Sequence, residues 1–320
     1  MVRKMVDLSQ KKVRILLDTD ANNEIDDQHA IAYLLLSGDS FVVEGLTVNR
    51  TNNGGDIEAQ ALEAERVVSL CNMHPDLPVT RGASGSFEEI APHIDKTRFD
   101  GSDAVNLMIR RAEAYSSRKL VFLAIGKLTN VALALKKRPD IADKVKLVWL
   151  GSNYPKPGEY NLEADVESLN FVLDSEVEFE IAVVRYGADS GTSAVRVTLS
   201  DVVKKLSGKG PTSRLPIVGR HGGTFTNFGD YSVNLLSNVD LYYDPPSRAL
   251  YDMAATAILK NPDWAEARTI PAPTLENGIW RERLGNSRKV VIRENFNQKM
   301  IVDDFYQTIC NYKLTEVVSD

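Results

Sequence analysis

Apolar runs that predict strands alternate with helix-like segments through the first half of this chain. The strand-like runs cover residues 13–17, 41–48, 120–125, 145–150 and 179–184, and the helix-like segments cover 30–35, 57–70, 104–115, 128–135 and 166–173. Strands joined by helical crossovers usually pair in parallel, with helices on both faces of the sheet. The order therefore predicts an α/β fold with a predominantly parallel open sheet and a Rossmann-like core. Ligands of such sheets bind at the carboxyl ends of the strands.

The pattern weakens in the second half of the chain. Residues 207–238 are rich in Gly, Ser, Thr and Asn, and this segment could form an active-site flap, a set of site loops or plain surface. Residues 249–259 again predict a helix, and 263–291 predict short strands and turns. Because no repeat or clear linker interrupts the chain, we expect a single domain over residues 1–320, with 207–238 as the candidate flap.

Composition excludes several classes of function. A formal net charge of −6 argues against a general nucleic-acid surface. Two cysteines are too few for a disulfide framework or a cysteine metal cluster, and the four histidines lack zinc-site spacing. No apolar run approaches the length of a membrane span. Arg3 and Lys4 are not followed by a signal-peptide core, so a cytoplasmic protein is expected.

An acidic turn follows the first predicted strand. Asp18, Asp20, Glu24, Asp26 and Asp27 lie within ten residues, directly before a predicted helix. Single aspartates favour turns and helix N-termini for local reasons. Four aspartates together repel one another and lose hydration if buried, and a hard divalent cation such as Ca²⁺ or Mg²⁺ relieves both costs. The turn therefore favours a metal site, while Glu24 is expected to remain solvated.

The acidic turn resembles the Asp-Thr-Asp-Pro-Gly-Ile-Asp-Asp signature of the inosine-uridine nucleoside hydrolase family. Four further resemblances follow in the family's order, and together they extend over residues 13–265. They are Gly126-Lys127-Leu128-Thr129-Asn130, Val148-Trp149-Leu150-Gly151, Glu159-Tyr160-Asn161 with Asp165-Val166-Glu167, and Tyr251-Asp252-Met253-Ala254-Ala255. The resemblance implies a nucleoside hydrolase-like fold and a Ca²⁺ cofactor.

The resemblance also implies roles for individual residues. Asp20, Asp27 and Asp252 would bind Ca²⁺ through carboxylates, and Ile125 would bind it through its backbone carbonyl. Asp20 would in addition act as the general base on a Ca²⁺-bound water, and Asp18 would support the cluster. The implied sugar contacts are Asp26 with the 2-hydroxyl, Glu159 and Asn161 with other hydroxyls, and Asn52, for which Thr51 or Asn49 remain alternatives.

Three departures from the family pattern affect the substrate. The acidic loop is two residues longer, and residues 151–159 form a shorter segment that leaves Asn153 as the only nearby substitute for the element that meets the 5-hydroxyl. Tyr251 replaces the His that activates purine leaving groups in some members. Because Tyr, with a reference pKa near ~10, is a weaker acid than His, Tyr251 is the candidate leaving-group donor of a diverged site. The substrate is then expected to differ from common purine and pyrimidine nucleosides.

The first functional hypothesis is a metal-dependent hydrolase that cleaves the N-glycosidic bond of a ribonucleoside or related riboside. A haloacid dehalogenase-type phosphatase is an alternative, because Asp-x-Asp after a strand also marks that class. That class prefers Thr or Val where this chain has Asn22, and it leaves the Asp26-Asp27 pair unexplained. A non-catalytic calcium-dependent sugar-binding protein is the third reading. The expected partner is a small riboside, and a dimer or tetramer is left open.

Overall fold

The computed structural model describes residues 12–318. Residues 1–11, with Arg3 and Lys4, and residues 319–320 of the predicted domain lie outside this part. Its strands are β1 (Val13–Thr19), β2 (Phe41–Val48), β3 (Val79–Arg81), β4 (Leu120–Ala124), β5 (Val145–Leu150), β6 (Glu178–Ala182), β7 (Arg196–Val197), β8 (Ile217–Val218), β9 (Thr224–Phe225), β10 (Arg248–Ala249), β11 (Glu266–Pro271), β12 (Thr274–Glu276), β13 (Ile279–Arg281), β14 (Lys289–Glu294) and β15 (Glu316–Val317).

The helices follow the strands along most of the chain. They are α1 (Asp26–Leu35), α2 (Ile57–Leu70), α3 (Phe87–Ile90), α4 (Ser102–Glu113), α5 (Thr129–Lys137), α6 (Tyr160–Ala164), α7 (Val166–Asp174), α8 (Leu199–Leu206), α9 (Phe228–Ser237), α10 (Tyr251–Lys260) and α11 (Gln298–Cys310). Within residues 12–318, no helix is both long and apolar enough to cross a membrane.

A nine-stranded sheet forms the centre of the fold and confirms the predicted α/β class. The strand order is β11-β14-β6-β5-β4-β1-β2, and the outer edge of β2 pairs with β15 near its start and with β3 near its end. All neighbours in this sheet run parallel except β11 and β14. β1 lies between β2 and β4, so the acidic turn that follows β1 begins at the middle of the carboxyl edge.

The two faces of the sheet are buried in separate apolar cores. Alternate residues of β1 point to opposite faces, with Ile15 and Leu17 in one core and Leu16 in the other. All three side chains are fully buried. Burial on both faces is the usual environment of a parallel strand, and it explains why residues 15–17 are continuously apolar rather than alternating.

The segment 207–238 contains more regular structure than its composition predicts. It includes the hairpin of β8 and β9 and the ten-residue helix α9. Phe228, Tyr231 and Leu235 lie on the buried side of that helix, and their spacing fits one helical face. The high Gly and Ser content of the whole segment obscured the helical spacing of these apolar residues in the sequence. Arg220, in the hairpin turn, donates to the carbonyl of Glu24 at 2.7 Å, so the segment does contact the acidic loop.

Candidate active site

A cavity of about 250 Å³ opens at the carboxyl edge of the sheet. Its wall includes Ile125, which follows β4 directly, Leu150, which ends β5, and Val184, which lies two residues after β6. The eight predicted site residues that line this cavity are Asp20, Asp26, Asp27, Ile125, Glu159, Asn161, Tyr251 and Asp252. The fold thus brings together side chains that lie more than 200 positions apart in the sequence.

Three aspartates form the most acidic part of the cavity. Asp26 and Asp27 begin α1, Asp252 is the second residue of α10, and one carboxylate oxygen of each lies within 4.8 Å of the others. All three are buried, and Asp26 hydrogen bonds to Asp252. Burial raises the pKa of Asp27 and Asp252 well above the ordinary value, and the neighbouring carboxylates raise both further. The trio therefore needs protons or a cation to remain together.

Asp20 lies beside this trio and has a similar electrostatic environment. Its carboxylate accepts hydrogen bonds from the hydroxyl of Thr51 and, at 3.4 Å, from the amide of Asn23. Burial raises the pKa of Asp20 from 3.8 to about 7, and the charge of Glu159 contributes in the same direction. A carboxyl group with a pKa near neutrality can exchange a proton at physiological pH.

Asp18 lies beneath the cavity and does not line it. Its carboxylate accepts hydrogen bonds from Thr47 (2.7 Å), Asn49 (3.0 Å) and Asn130 (2.8 Å). Burial nevertheless raises its pKa to about 6. These contacts tie β1, β2 and α5 together under Asp20. The supporting role expected of Asp18 stays a prediction.

The turn after β4 requires a glycine for close approach. A Cβ atom on Gly126 would lie 2.8 Å from the side-chain amide of Asn49 and 2.9 Å from Oδ1 of Asp20. Both distances are shorter than real Cβ contacts allow. Gly126 therefore lets this turn pass directly against the acidic loop, with Ile125 at the cavity wall.

Glu159 and Asn161 reach the cavity from the start of α6. The carboxylate of Glu159 accepts backbone N–H bonds from Ser152 (2.8 Å), Asn161 (3.0 Å) and Leu162 (2.9 Å). The backbone of Glu159 has a φ of +137°, which non-glycine residues rarely adopt. The amide of Asn161 donates to the carbonyls of Ile125 (3.0 Å) and Leu150 (3.2 Å). Both side chains are thus held in fixed orientations.

Tyrosines line the side of the cavity where α10 begins. The ring of Tyr251 meets that of Tyr186 edge to face, with centroids 5.8 Å apart, and Tyr242 lines the same cavity. Burial raises the pKa of Tyr251 above its ordinary value, and the nearby oxygens of Tyr243 and Asp26 add to the effect. Tyr251 thus holds its proton more tightly than an exposed tyrosine does.

Two predicted sugar-binding residues are not brought to the cavity. Asn52 is exposed, and the neighbouring Thr51 turns inward to Asp20 instead. Asn153 lines an adjoining cavity behind Tyr186, where its side-chain oxygen accepts the backbone N–H of Tyr186 at 3.1 Å. Asn153 lies three residues after β5, and its hydrogen bond to Tyr186 holds its side chain in that adjoining cavity. Asn49, the alternative to Asn52, donates its side-chain amide to the carboxylate of Asp18.

Besides Tyr242, sequence reasoning missed three aromatic or cationic residues among the described residues that line the cavity. Tyr160 lines it, and its hydroxyl donates to Thr51 at 3.2 Å. Tyr186 and Arg248 also line it. The Glu-Tyr-Asn order gave a signal for Tyr160, whereas Tyr186 and Arg248 lie in segments without a recognisable motif.

The donor set fits a hard divalent cation. Oδ1 of Asp252 and Oδ1 of Asn161 are buried in the described structure and have no hydrogen-bond partner. Such orphaned acceptors are costly unless a ligand or ion satisfies them. The side chains that line the cavity offer carboxylate and amide oxygens, which Ca²⁺ and Mg²⁺ prefer, and none of the described lining residues is Cys or His.

Comparisons with known proteins found relatives of this chain. Residues 15–304 match the model of a family described as inosine-uridine preferring nucleoside hydrolase. A probable uridine nucleosidase 1 from Oryza sativa subsp. japonica is 26% identical over 224 residues, which cover 62% of this chain and 64% of that protein. The matched region thus spans slightly less than two-thirds of this relative's length.

Solved structures share the fold at low sequence identity. A plant nucleoside hydrolase aligns with a TM-score of 0.71 and 16% identity, and the alignment covers 93% of this chain and 99% of that one. An inosine-uridine preferring nucleoside hydrolase from Bacillus anthracis aligns with a TM-score of 0.67 and 17% identity, with coverage of 93% and 99%. The fold is therefore that of these structures, as the sequence predicts.

Proposed function

Because the chain belongs to the inosine-uridine preferring nucleoside hydrolase family, we propose that it hydrolyses the N-glycosidic bond of a ribonucleoside or related riboside. The observation that carries the proposal is the buried trio Asp26, Asp27 and Asp252 beside Asp20, in a cavity of small-ligand size. This arrangement concentrates negative charge where a sugar would bind. The family match also removes the basis of the phosphatase alternative, which never explained the Asp26-Asp27 pair.

The proposed cofactor is Ca²⁺, held by the carboxylates of Asp20, Asp27 and Asp252 and by the carbonyl of Ile125. When bound, such a cation lowers the pKa of a coordinated water and orients neighbouring hydroxyls. The orphaned oxygen of Asp252 and the raised pKa of Asp27 support this assignment, because both describe acids that lack their counter-charge.

Asp20 is proposed as the general base. It takes a proton from the attacking water, whose oxygen forms the new bond to the anomeric carbon as the carbon–nitrogen bond breaks. Thr51 fixes the carboxylate through its hydroxyl, and Asp18 holds the strand end below it. The carboxylates that line the cavity stabilise the positive charge that develops on the sugar ring.

Sugar recognition is assigned to Asp26, Glu159 and Asn161. Carboxylate and amide oxygens accept hydrogen bonds from sugar hydroxyls, and Oδ1 of Asn161 has no partner within the described structure. Glu159 is held by three backbone N–H groups, so it binds a ligand without first losing side-chain entropy. Asn52 and Asn153 are left out of this set because neither reaches the cavity.

The test is release of reducing sugar from a panel of nucleosides and other ribosides, with added Ca²⁺ or with a chelator. We expect Ca²⁺-dependent release by the wild-type protein. Asp27→Ala should lose most bound metal by elemental analysis, and stoichiometric metal in that variant would contradict the ligand assignment. Binding of ribosides without any turnover would instead support the sugar-binding alternative.

A further inference from the structure

A buried cation lines the cavity beside Tyr251. Arg248, in β10, is only 9% exposed and lines the cavity together with Tyr242 and Tyr251. Its guanidinium carbon lies 5.2 Å from the centre of the Tyr242 ring. Tyr251, where the family places its leaving-group His, is three residues further along the chain. Within residues 12–318, Arg248 is the only cationic side chain that lines the cavity.

The hydrogen-bonding capacity of Arg248 is only partly used. Its guanidinium pairs with the carboxylate of Glu24, whose side chain is 44% exposed, and donates to the carbonyl of Asp240 at 3.3 Å. Nε of Arg248 is buried and has no partner in the described structure. A buried donor without an acceptor is costly, so a ligand acceptor that reached this nitrogen would be bound favourably.

We propose that Arg248 binds the aglycone and pairs with the negative charge that develops on it as the glycosidic bond breaks. This inference rests on the proposed hydrolase function and names its substrate class: ribosides whose aglycone departs as an anion with an acceptor atom near the broken bond. The bonding pair of the carbon–nitrogen or carbon–oxygen bond moves to the aglycone. Water supplies the new oxygen, Asp20 takes its proton, and solvent protonates the released anion.

Charge stabilisation by arginine differs from acid catalysis by the family's His. A guanidinium remains protonated at all accessible pH values, so it cannot deliver a proton but keeps its full charge. In a water-poor cavity, a fixed cation beside developing negative charge is typically worth ~10²–10³-fold in rate. Arg248 therefore offers a way to activate a leaving group when the neighbouring position holds Tyr251.

The experiment measures kcat/KM for aryl ribosides that range from phenyl to 2,4-dinitrophenyl, with saturating Ca²⁺. In Arg248→Gln we expect a loss of ~10²-fold for phenyl riboside and less than ~5-fold for the dinitrophenyl compound. The dependence of rate on leaving-group pKa should therefore steepen. Thermal unfolding and Ca²⁺ content establish that the variant is folded and loaded.

Glu24→Gln is the matched control, because it removes the same ion pair but keeps the guanidinium. We expect its leaving-group dependence to equal that of the wild type or to be shallower. The inference is wrong if both variants steepen the dependence of kcat/KM on leaving-group pKa alike, or if Arg248→Gln lowers kcat/KM equally for every substrate. Arg248 then only holds the loop. Arg248→Lys retains the charge and should lose less than the Gln variant on phenyl riboside.

Failure of the two proposals is distinguishable. If the wild-type protein cleaves no aryl riboside and no nucleoside, the proposed hydrolase function fails, and this inference with it. If the wild type cleaves them and Arg248→Gln shows the wild-type dependence on the leaving group, only the role of Arg248 is refuted.

Discussion

Asp26→Asn should make the metal-free protein more stable, although it removes a proposed sugar contact. Asp26 is buried at the start of α1, and burial raises its pKa from 3.8 to about 6. Because a tenfold change in a protonation equilibrium is worth about 1.4 kcal/mol, ionising this group in the folded protein costs about 3 kcal/mol at pH 8. Asn keeps the shape and the acceptor oxygen but never carries the charge.

The sign of the effect follows from linkage. Between pH 3.8 and about 6 the folded state holds a proton on Asp26 that the unfolded state has released. The stability supplied by protonated Asp26 is therefore complete below pH 3.8 and is lost as pH rises through 6. The advantage of the variant should be close to zero below pH 3.8, about half its full value at pH 5, and about 3 kcal/mol at pH 8.

The assay is urea unfolding at pH 5 and pH 8 in the presence of a chelator. Asp165→Asn is the matched control, because that buried carboxylate accepts N–H bonds from Phe87 (2.8 Å) and Ser168 (3.2 Å). It should lose stability, by ~1–3 kcal/mol, at both pH values. If Asp26→Asn is no more stable than the wild type at pH 8 in chelator, while the control behaves as expected, the electrostatic argument is refuted. Saturating Ca²⁺ should abolish the advantage.

Three further predictions concern metal and catalysis. Asp20→Asn should lower kcat by ~10²–10⁴-fold, because it removes the proposed base, and near-normal turnover with metal retained would contradict that role. Ca²⁺ affinity, measured by calorimetry, should rise from pH 5.5 to 8, because the cation must displace protons from Asp20, whose pKa is about 7, and from Asp27 and Asp252, whose pKa values burial raises; a flat profile would refute this. Wild-type kcat/KM should be lower for inosine than for nitrophenyl riboside, and Tyr251→Phe should leave the nitrophenyl rate unchanged; efficient inosine hydrolysis would show that leaving-group recognition has not diverged.

Local patterns in the sequence were sufficient for the parallel centre of the sheet, β1, β2, β4, β5 and β6, and for the position of the acidic turn. Strand, turn and helix follow one another within residues 13–35, so the position of Asp20, Asp26 and Asp27 at a strand end depends on neighbouring residues only. The family motifs added Glu159 and Asp252 to the predicted site. Periodicity alone could not predict that these two residues lie near the acidic turn. Helix α9 was missed because its apolar residues are diluted by Gly and Ser.

Only the tertiary structure decided which side chains face the cavity. Asn52 and Thr51 are adjacent in the chain, yet the path of the backbone after β2 turns Thr51 to Asp20 and leaves Asn52 in solvent. Arg248 reaches Glu24 across 224 positions because α10 packs against α1, and no local pattern encodes that distance. Spacing along the chain fixes which face of an element a residue occupies, whereas its partners depend on how separate elements cross and pack.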